Sequence, residues 1–146
     1  MPDNLPFISS KIRARLEIAR VARLATLDAE RRPHLVFICF SYDGSIFYSA
    51  IDRKPKRVAP DQLARLKNIK KTPEVALLVD HYDEDWTCLW YVLVRGQAEL
   101  VFDATEQERA IQRLRKKYPQ YDTDMLVDDA PVLRITPVQI TAWGKI

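Results

Sequence analysis

Apolar and polar positions follow two different rhythms along this chain. Ile8, Ile12, Leu16 and Ala19 recur at helical spacing, with Lys11, Arg13, Arg15 and Arg20 on the opposite face. Ser9 or Ser10 can cap that segment, so a helix is predicted over 10–19. The rhythm then changes. VARLATL at 21–27 reads as a strand, and DAERRP turns the chain into HLVFICFSY at 34–42, a run too apolar to face water on either side. Asp43-Gly44-Ser45 is a hairpin-type turn, and IFYSAI at 46–51 is expected to return antiparallel to the preceding run, giving a three-strand meander.

Leu63, Leu66 and Ile69 restore helical spacing, which predicts a helix near 61–70. Pro60 suits a first helical position and Asp61 complements the positive helix end, while Thr72-Pro73 stops it. EVALLV at 74–79 is a continuous apolar strand. The acidic turn HYDEDWT leads into a long strand at 87–102, in which Gly96 marks a bulge or bend. Asp103 with Glu106 forms a capping-box pattern for a helix over 104–118, with Ala110, Ile111, Leu114 and Tyr118 as its stripe. Pro119 ends it. A last strand follows at 132–143, with Pro137 expected at an edge or bulge. Six strands with a few helices predict a mainly β (α+β) chain built as a small antiparallel barrel. No repeat or low-complexity linker interrupts it, so 1–146 reads as a single domain.

Charge changes this picture at one place. Between Arg53 and Lys71 stand eight cations (Arg53, Lys54, Lys56, Arg57, Arg65, Lys67, Lys70 and Lys71) against the single acid Asp61, a local +7. The rest of the chain sums to −4, so the modest net charge of +3 hides a concentrated cationic element between two strands. Fixed cations suit a phosphate, because it rewards several donors placed in advance. A solvated basic face and a nucleic-acid patch are the competing readings. Against nucleic acid, no aromatic side chain is interleaved between Arg53 and Lys71 to stack a base.

Other chemistry is sparse. His34 and His81 stand alone, without a second ligand at usable spacing, and no nucleophile–base set is visible. Three glycines argue against a glycine-rich phosphate loop. Cys39 and Cys88 lie within apolar runs and read as free, buried thiols of a reducing compartment. The N-terminus lacks a charged-then-apolar leader, and the longest apolar run is LVFICF. A cytoplasmic protein without membrane spans is expected.

Taken in order, four segments resemble a known family: EIARVARLATLDAERRPHLVFICFSYDG, IFYSAIDRKPKRVAPDQLARLKNIKKTPEVALLVD, LWYVLVRGQAEL and the terminal PVQITAWG. The chain is similar to the split β-barrel proteins related to pyridoxamine 5′-phosphate oxidase, within the branch that uses FMN or the deazaflavin coenzyme F-420. The resemblance implies a six-stranded antiparallel split barrel of FMN-binding type, a homodimer, and hydride transfer to a small organic acceptor. It implies a cofactor phosphate held by Arg65 and Asn68-Ile69, with Lys54, Lys56 and Arg57 available in the preceding loop. Ser49, beside those cations, can donate to phosphate or ring oxygen, though an ordinary strand serine fits as well. Residues 35–40 correspond to the strand against which relatives lay the flat ring. Trp143 resembles the aromatic that relatives place beside the ring from the partner subunit; a barrel-plugging tryptophan is its other reading. Trp86 and Trp90 read as packing or interface residues. No catalytic side chain is named, since hydride chemistry belongs to the cofactor. A non-catalytic flavin-storage or nucleic-acid-binding barrel is the alternative from a different class.

Overall fold

The structure is a computed structural model that describes residues 5–54 and 63–146. Helix α1 (Ser10–Ile18) begins where Ser9 Oγ accepts the Ile12 N–H at 3.2 Å, and its Leu16 is wholly buried among barrel residues. Then come β1 (Ala22–Leu27), β2 (Pro33–Ile38), β3 (Ser41–Tyr42) and β4 (Phe47–Ala50). The second half holds α2 (Ala64–Lys71), β5 (Glu74–His81), β6 (Trp90–Leu100), α3 (Ala104–Lys117) and β7 (Val132–Gly144).

One seven-stranded antiparallel sheet has the order β2-β1-β5-β6-β7-β4-β3. Its two edges, β2 and β3, are consecutive in the chain and joined by Cys39-Phe40 alone. Two residues cannot span a flat seven-stranded sheet, because strands lie roughly 4.8 Å apart. The sheet must therefore curl until its edges meet. This corrects the expected meander: the run at 34–42 is not one strand, and only Ser41–Tyr42 pairs with the β4 hairpin arm. The extra strand makes seven instead of six and leaves the barrel class unchanged.

Cys39-Phe40 leaves the ladder, so its peptide groups need partners from elsewhere. Phe40 donates its N–H to the Tyr118 hydroxyl at 3.0 Å, and the Ser49 hydroxyl donates to the Cys39 carbonyl at 2.8 Å. The Tyr118 hydroxyl also lies 2.8 Å from the Arg20 carbonyl, which anchors α3 across the hinge. Inside the barrel, Leu24, Phe40, Phe47, Leu77, Val92 and Ile135 form the main core, joined by Leu66 and Ile69 of α2. A second core packs Ala110, Ile111 and Leu114 of α3 against Tyr48, Ala50 and Val132.

Punctuation residues account for the remaining shape. Asp103 caps α3 by accepting the Glu106 N–H at 2.8 Å. Gly96 sits at the β6–β7 register shift, where an added Cβ would lie 2.3 Å from the Thr136 carbonyl. Pro137 faces that glycine, so the proline occupies the bulge the sequence predicts. Two boundaries move. Strand β6 starts at Trp90 because Asp85 accepts the Thr87 N–H and closes a 3-10 turn over Trp86–Cys88. Cys88 is thus in a turn, and both cysteines are free and half-buried. Helix α2 begins at Ala64, and the expected contributions of Pro60 and Asp61 lie outside the described residues. Among the described residues, no helix is long and apolar enough to cross a membrane.

Candidate functional site

A cavity of about 530 Å³ runs along the edge strand β2 to the start of α2. One wall is the backbone and side chains of Leu35–Cys39, and the other is Ser49, Ala50 and Asp52 at the end of β4. Among the described residues, strand β2 pairs only with β1, and its residues Leu35–Ile38 line this groove from the sheet edge. Such a wall of edge-strand residues offers a flat, largely apolar surface, which suits a planar ring.

Cations close one end. Arg65, from the first turn of α2, and Lys54 both line the groove. The Arg65 Nε is enclosed, with no hydrogen-bond partner among the described residues. Burial lowers its guanidinium below the ordinary value, partly offset by the nearby Asp52 carboxylate. A half-buried guanidinium with an unspent donor fits an anion with oxygens to offer. Asp52 would oppose an anion, but its charge is engaged. Lys54 Nζ bridges it, the Lys54 N–H donates to Oδ1 at 3.0 Å, and the Tyr121 hydroxyl donates to Oδ2 at 2.6 Å. Burial and the hydrogen bond to Asp52 push the Tyr121 phenol well above its ordinary value, so it stays a donor. Arg23, also at the groove, is paired with Asp80. The cationic end therefore offers Arg65 and Lys54 as the residues that would meet an anion there.

The structure brings some of the sequence candidates together and separates others. Ser49, Lys54 and Arg65 share the groove. Ser49 has spent its proton on the Cys39 carbonyl, so toward a ligand it presents only lone pairs. Asn68 does not line the groove. It is buried, and its amide donates to the Thr26 hydroxyl at 2.9 Å, tying α2 to β1. Trp143 also stands away, stacked on Tyr91 at 5.6 Å on the outer surface and half-exposed. It plugs no barrel. Trp90 is buried, and Trp86 is exposed. Lys56 and Arg57 lie outside the described residues. Sequence reasoning passes over Asp52 and Tyr121. Asp52 stands directly before the cations and could have been noticed there, whereas Tyr121 sits in a polar connector with no local signal.

A second cavity, of about 620 Å³, lies beside α3 and is richer in charge, above all in carboxylates. There the Arg134 guanidinium donates to Glu106 at 2.5 Å and to Glu99 at 2.8 Å, and the Tyr48 hydroxyl donates to Glu106 at 2.7 Å. Burial alone would lower Arg134, but the hydrogen bonds from Glu99 and Glu106 more than reverse it and hold it above its ordinary value. Burial and the Glu106 contact raise the Tyr48 phenol as well. These groups satisfy one another.

The comparisons agree with this geometry. Among solved structures, a conserved hypothetical protein of Mycobacterium tuberculosis superposes with a TM-score of 0.76 at 19% identity, covering 99% of this chain and 89% of that one. A Listeria innocua protein described as a candidate pyridoxamine 5′-phosphate oxidase gives 0.70 at 23% identity, covering 92% and 97%. A protein named F-420 reductase gives 0.69 at 22% identity, covering 92% and 98%. At these identities the likeness is one of fold. No curated protein matches the sequence. The family model for pyridoxamine 5′-phosphate oxidase matches residues 8–144, nearly the whole chain, and the protein belongs to that family.

Proposed function

We propose that this protein is a cytoplasmic, homodimeric oxidoreductase. It binds FMN or the deazaflavin coenzyme F-420 and passes hydride between that cofactor and a small organic acceptor. One observation carries the reading: Arg65 sets an enclosed Nε, without a hydrogen-bond partner among the described residues, at the end of an apolar groove beside the edge strand β2. When bound, the cofactor would supply the hydride chemistry. The protein's own contribution is to seat the ring along Leu35–Cys39, neutralise the phosphate with Arg65 and Lys54, and keep water off the apolar wall. Asp52 and Tyr121 hold Lys54 in place.

A dimer is supported by the outward side of the sheet. Leu35 and Phe37 are 67% and 74% exposed, and Trp143 is 52% exposed beside half-buried Tyr91. Leu35 and Phe37 also border the groove, so a second copy seated there would help enclose the cofactor. Sedimentation at micromolar concentration should give a dimer. A monomer that binds FMN with full affinity would sink this part.

The phosphate reading is tested by titrating FMN and riboflavin against wild type, Arg65→Ala and Lys11→Ala. Arg13, the obvious control on α1, is unsuitable because it pairs with Glu17 at 2.8 Å and packs over Gly44. Arg65→Ala should weaken FMN by roughly ten- to hundredfold, the equivalent of about 1.5–3 kcal/mol for a charge-assisted hydrogen bond. Riboflavin should bind less tightly and ignore the substitution, and Lys11→Ala should leave FMN binding at the wild-type level. Equal losses for riboflavin and FMN would show that Arg65 supports the fold without reading phosphate. Turnover with a reducible acceptor then separates an enzyme from a flavin store.

A further inference from the structure

A third cavity, of about 490 Å³, adjoins the groove and shares three of its residues: Cys39, Lys54 and Tyr121. Its floor is made by Tyr118 and Tyr121, both buried, with half-buried Cys39 and Met125. The two tyrosine rings are tilted by 54° with centres 5.4 Å apart. Val21, Pro119 and Gln120 form an exposed rim. The connector after α3 is anchored through its backbone, since Arg53 donates its N–H to the Met125 carbonyl at 2.8 Å and Arg115 donates to the Leu126 carbonyl at 2.5 Å.

The polar groups of this lining are engaged by the protein itself. The Tyr118 hydroxyl accepts the Phe40 N–H at 3.0 Å and donates to the Arg20 carbonyl at 2.8 Å. The Tyr121 hydroxyl donates to Asp52, and the Lys54 ammonium bridges the same carboxylate. Arg20 is exposed, donates to the Lys117 carbonyl and lies 5.5 Å from the Tyr118 ring centre. An anion on this floor would therefore give up its hydration without meeting an uncommitted buried donor. A cation would fare no better, because two positive groups stand at the cavity and no carboxylate lines it among the described residues. An uncharged ligand carries neither cost.

We propose that this cavity binds small, uncharged, flat molecules of aromatic or conjugated type. Tyrosine rings and the polarizable thioether of Met125 supply a surface that rewards a π system. The shared wall of Cys39, Lys54 and Tyr121 sets the occupant beside whatever fills the groove. The hydride acceptor is thereby narrowed to uncharged conjugated molecules, a step that rests on the cofactor reading.

The probes are 2-methoxynaphthalene, 2-naphthoate and 2-naphthylmethylammonium, titrated by fluorescence with and without FMN. The neutral probe should bind about tenfold or more tightly than either ion, because an ion buried without a new partner loses its hydration. Arg20→Gln should leave that order unchanged. The chain has two methionines, so methyl NMR can place the probe. The Met125 signal, identified by its loss in Met125→Leu, should shift with the neutral probe, and FMN should not reverse the shift. Met125→Trp should weaken the neutral probe about tenfold by filling the cavity, while moving FMN affinity less than about threefold. Gln120 is exposed at the cavity rim, so Gln120→Trp repeats the blocking test at a position where folding is not at stake. Equal or tighter binding of either ion, an unmoved Met125 methyl, displacement of the neutral probe by FMN, or indifference to both tryptophan variants would each overturn the assignment. Failure of wild type to bind FMN, with methoxynaphthalene behaving as stated, would strike the cofactor reading and leave a cavity for neutral ligands standing.

Discussion

The groove beside β2 and the cavity beside α3 have similar volumes and each sets arginine beside tyrosine, but four carboxylates line the second and only Asp52, among the described residues, lines the first. Beside α3, Arg134 spends its donors on Glu99 and Glu106, and Tyr48 completes the set. Beside β2, Arg65 keeps an enclosed Nε without a partner among the described residues. Burial acts on both guanidiniums in the same direction, but only Arg134 has enough nearby acid to reverse it. A cluster of charges is therefore not by itself a site. What distinguishes the groove is a desolvated donor that lines a cavity and has no partner among the described residues.

The sharpest way to break this contrast is to make the same substitution in both places. Arg134→Leu should destabilise the fold by about 2 kcal/mol, because it strands Glu106 and the Tyr48 pair in a half-buried setting. Arg65→Leu should leave stability unchanged or raise it, since it removes a desolvated cation. For FMN affinity the roles should exchange, with a loss for Arg65→Leu and none for Arg134→Leu. Urea midpoints and flavin titrations on the two variants decide the matter, and equal destabilisation would erase the distinction.

Asn68 offers a smaller and cleaner test. Its amide is committed to Thr26 between α2 and β1. Asn68→Ala should cost about 1 kcal/mol of stability with FMN affinity nearly unmoved, whereas an Asn68 that reads the cofactor would show the reverse.

A pH-dependent test belongs to Lys117, a cation that resembles Arg65 in having no hydrogen-bond partner among the described residues but lines none of the three cavities described above. Its Nζ is enclosed 3.9 Å from the Phe40 ring centre, and burial, with Arg20 nearby, lowers it to about 8. Because this folded value lies below the ordinary lysine value of 10.5, the unfolded chain binds more protons between those two limits. Stability should therefore rise as pH climbs from about 8 toward 10.5, where the penalty has been relieved. Lys117→Met should flatten that rise, measured by urea midpoints across the same range. A rise that persists in the variant would assign it to other groups.

Much of this molecule was legible from local pattern. The three helices, the bulge at Gly96 with Pro137 and the Asp103 cap each depend on residues close in sequence, or on one steric fact about glycine or proline. The concentration of cations around Arg65 was visible for the same reason: charge is carried by residue type alone. The resemblance of four ordered segments added the family, which the family model then matched over residues 8–144, and the expectation of a flavin or deazaflavin cofactor.

Three things depended on tertiary structure. Periodicity made 34–42 one strand, because an apolar run looks continuous whether or not its ends pair with the same neighbour. Only the meeting of the sheet edges breaks it at Cys39-Phe40. Asn68 and Arg65 lie three residues apart in one helix, and nothing local says that one hydrogen-bonds inward while the other meets the groove. Tyr121 reaches Asp52 across sixty-nine residues of sequence. Sequence by itself determined which groups were available and how each segment would fold. Which donors found partners within the described residues, and which did not, is a property of distances between segments, and only the curled sheet sets those.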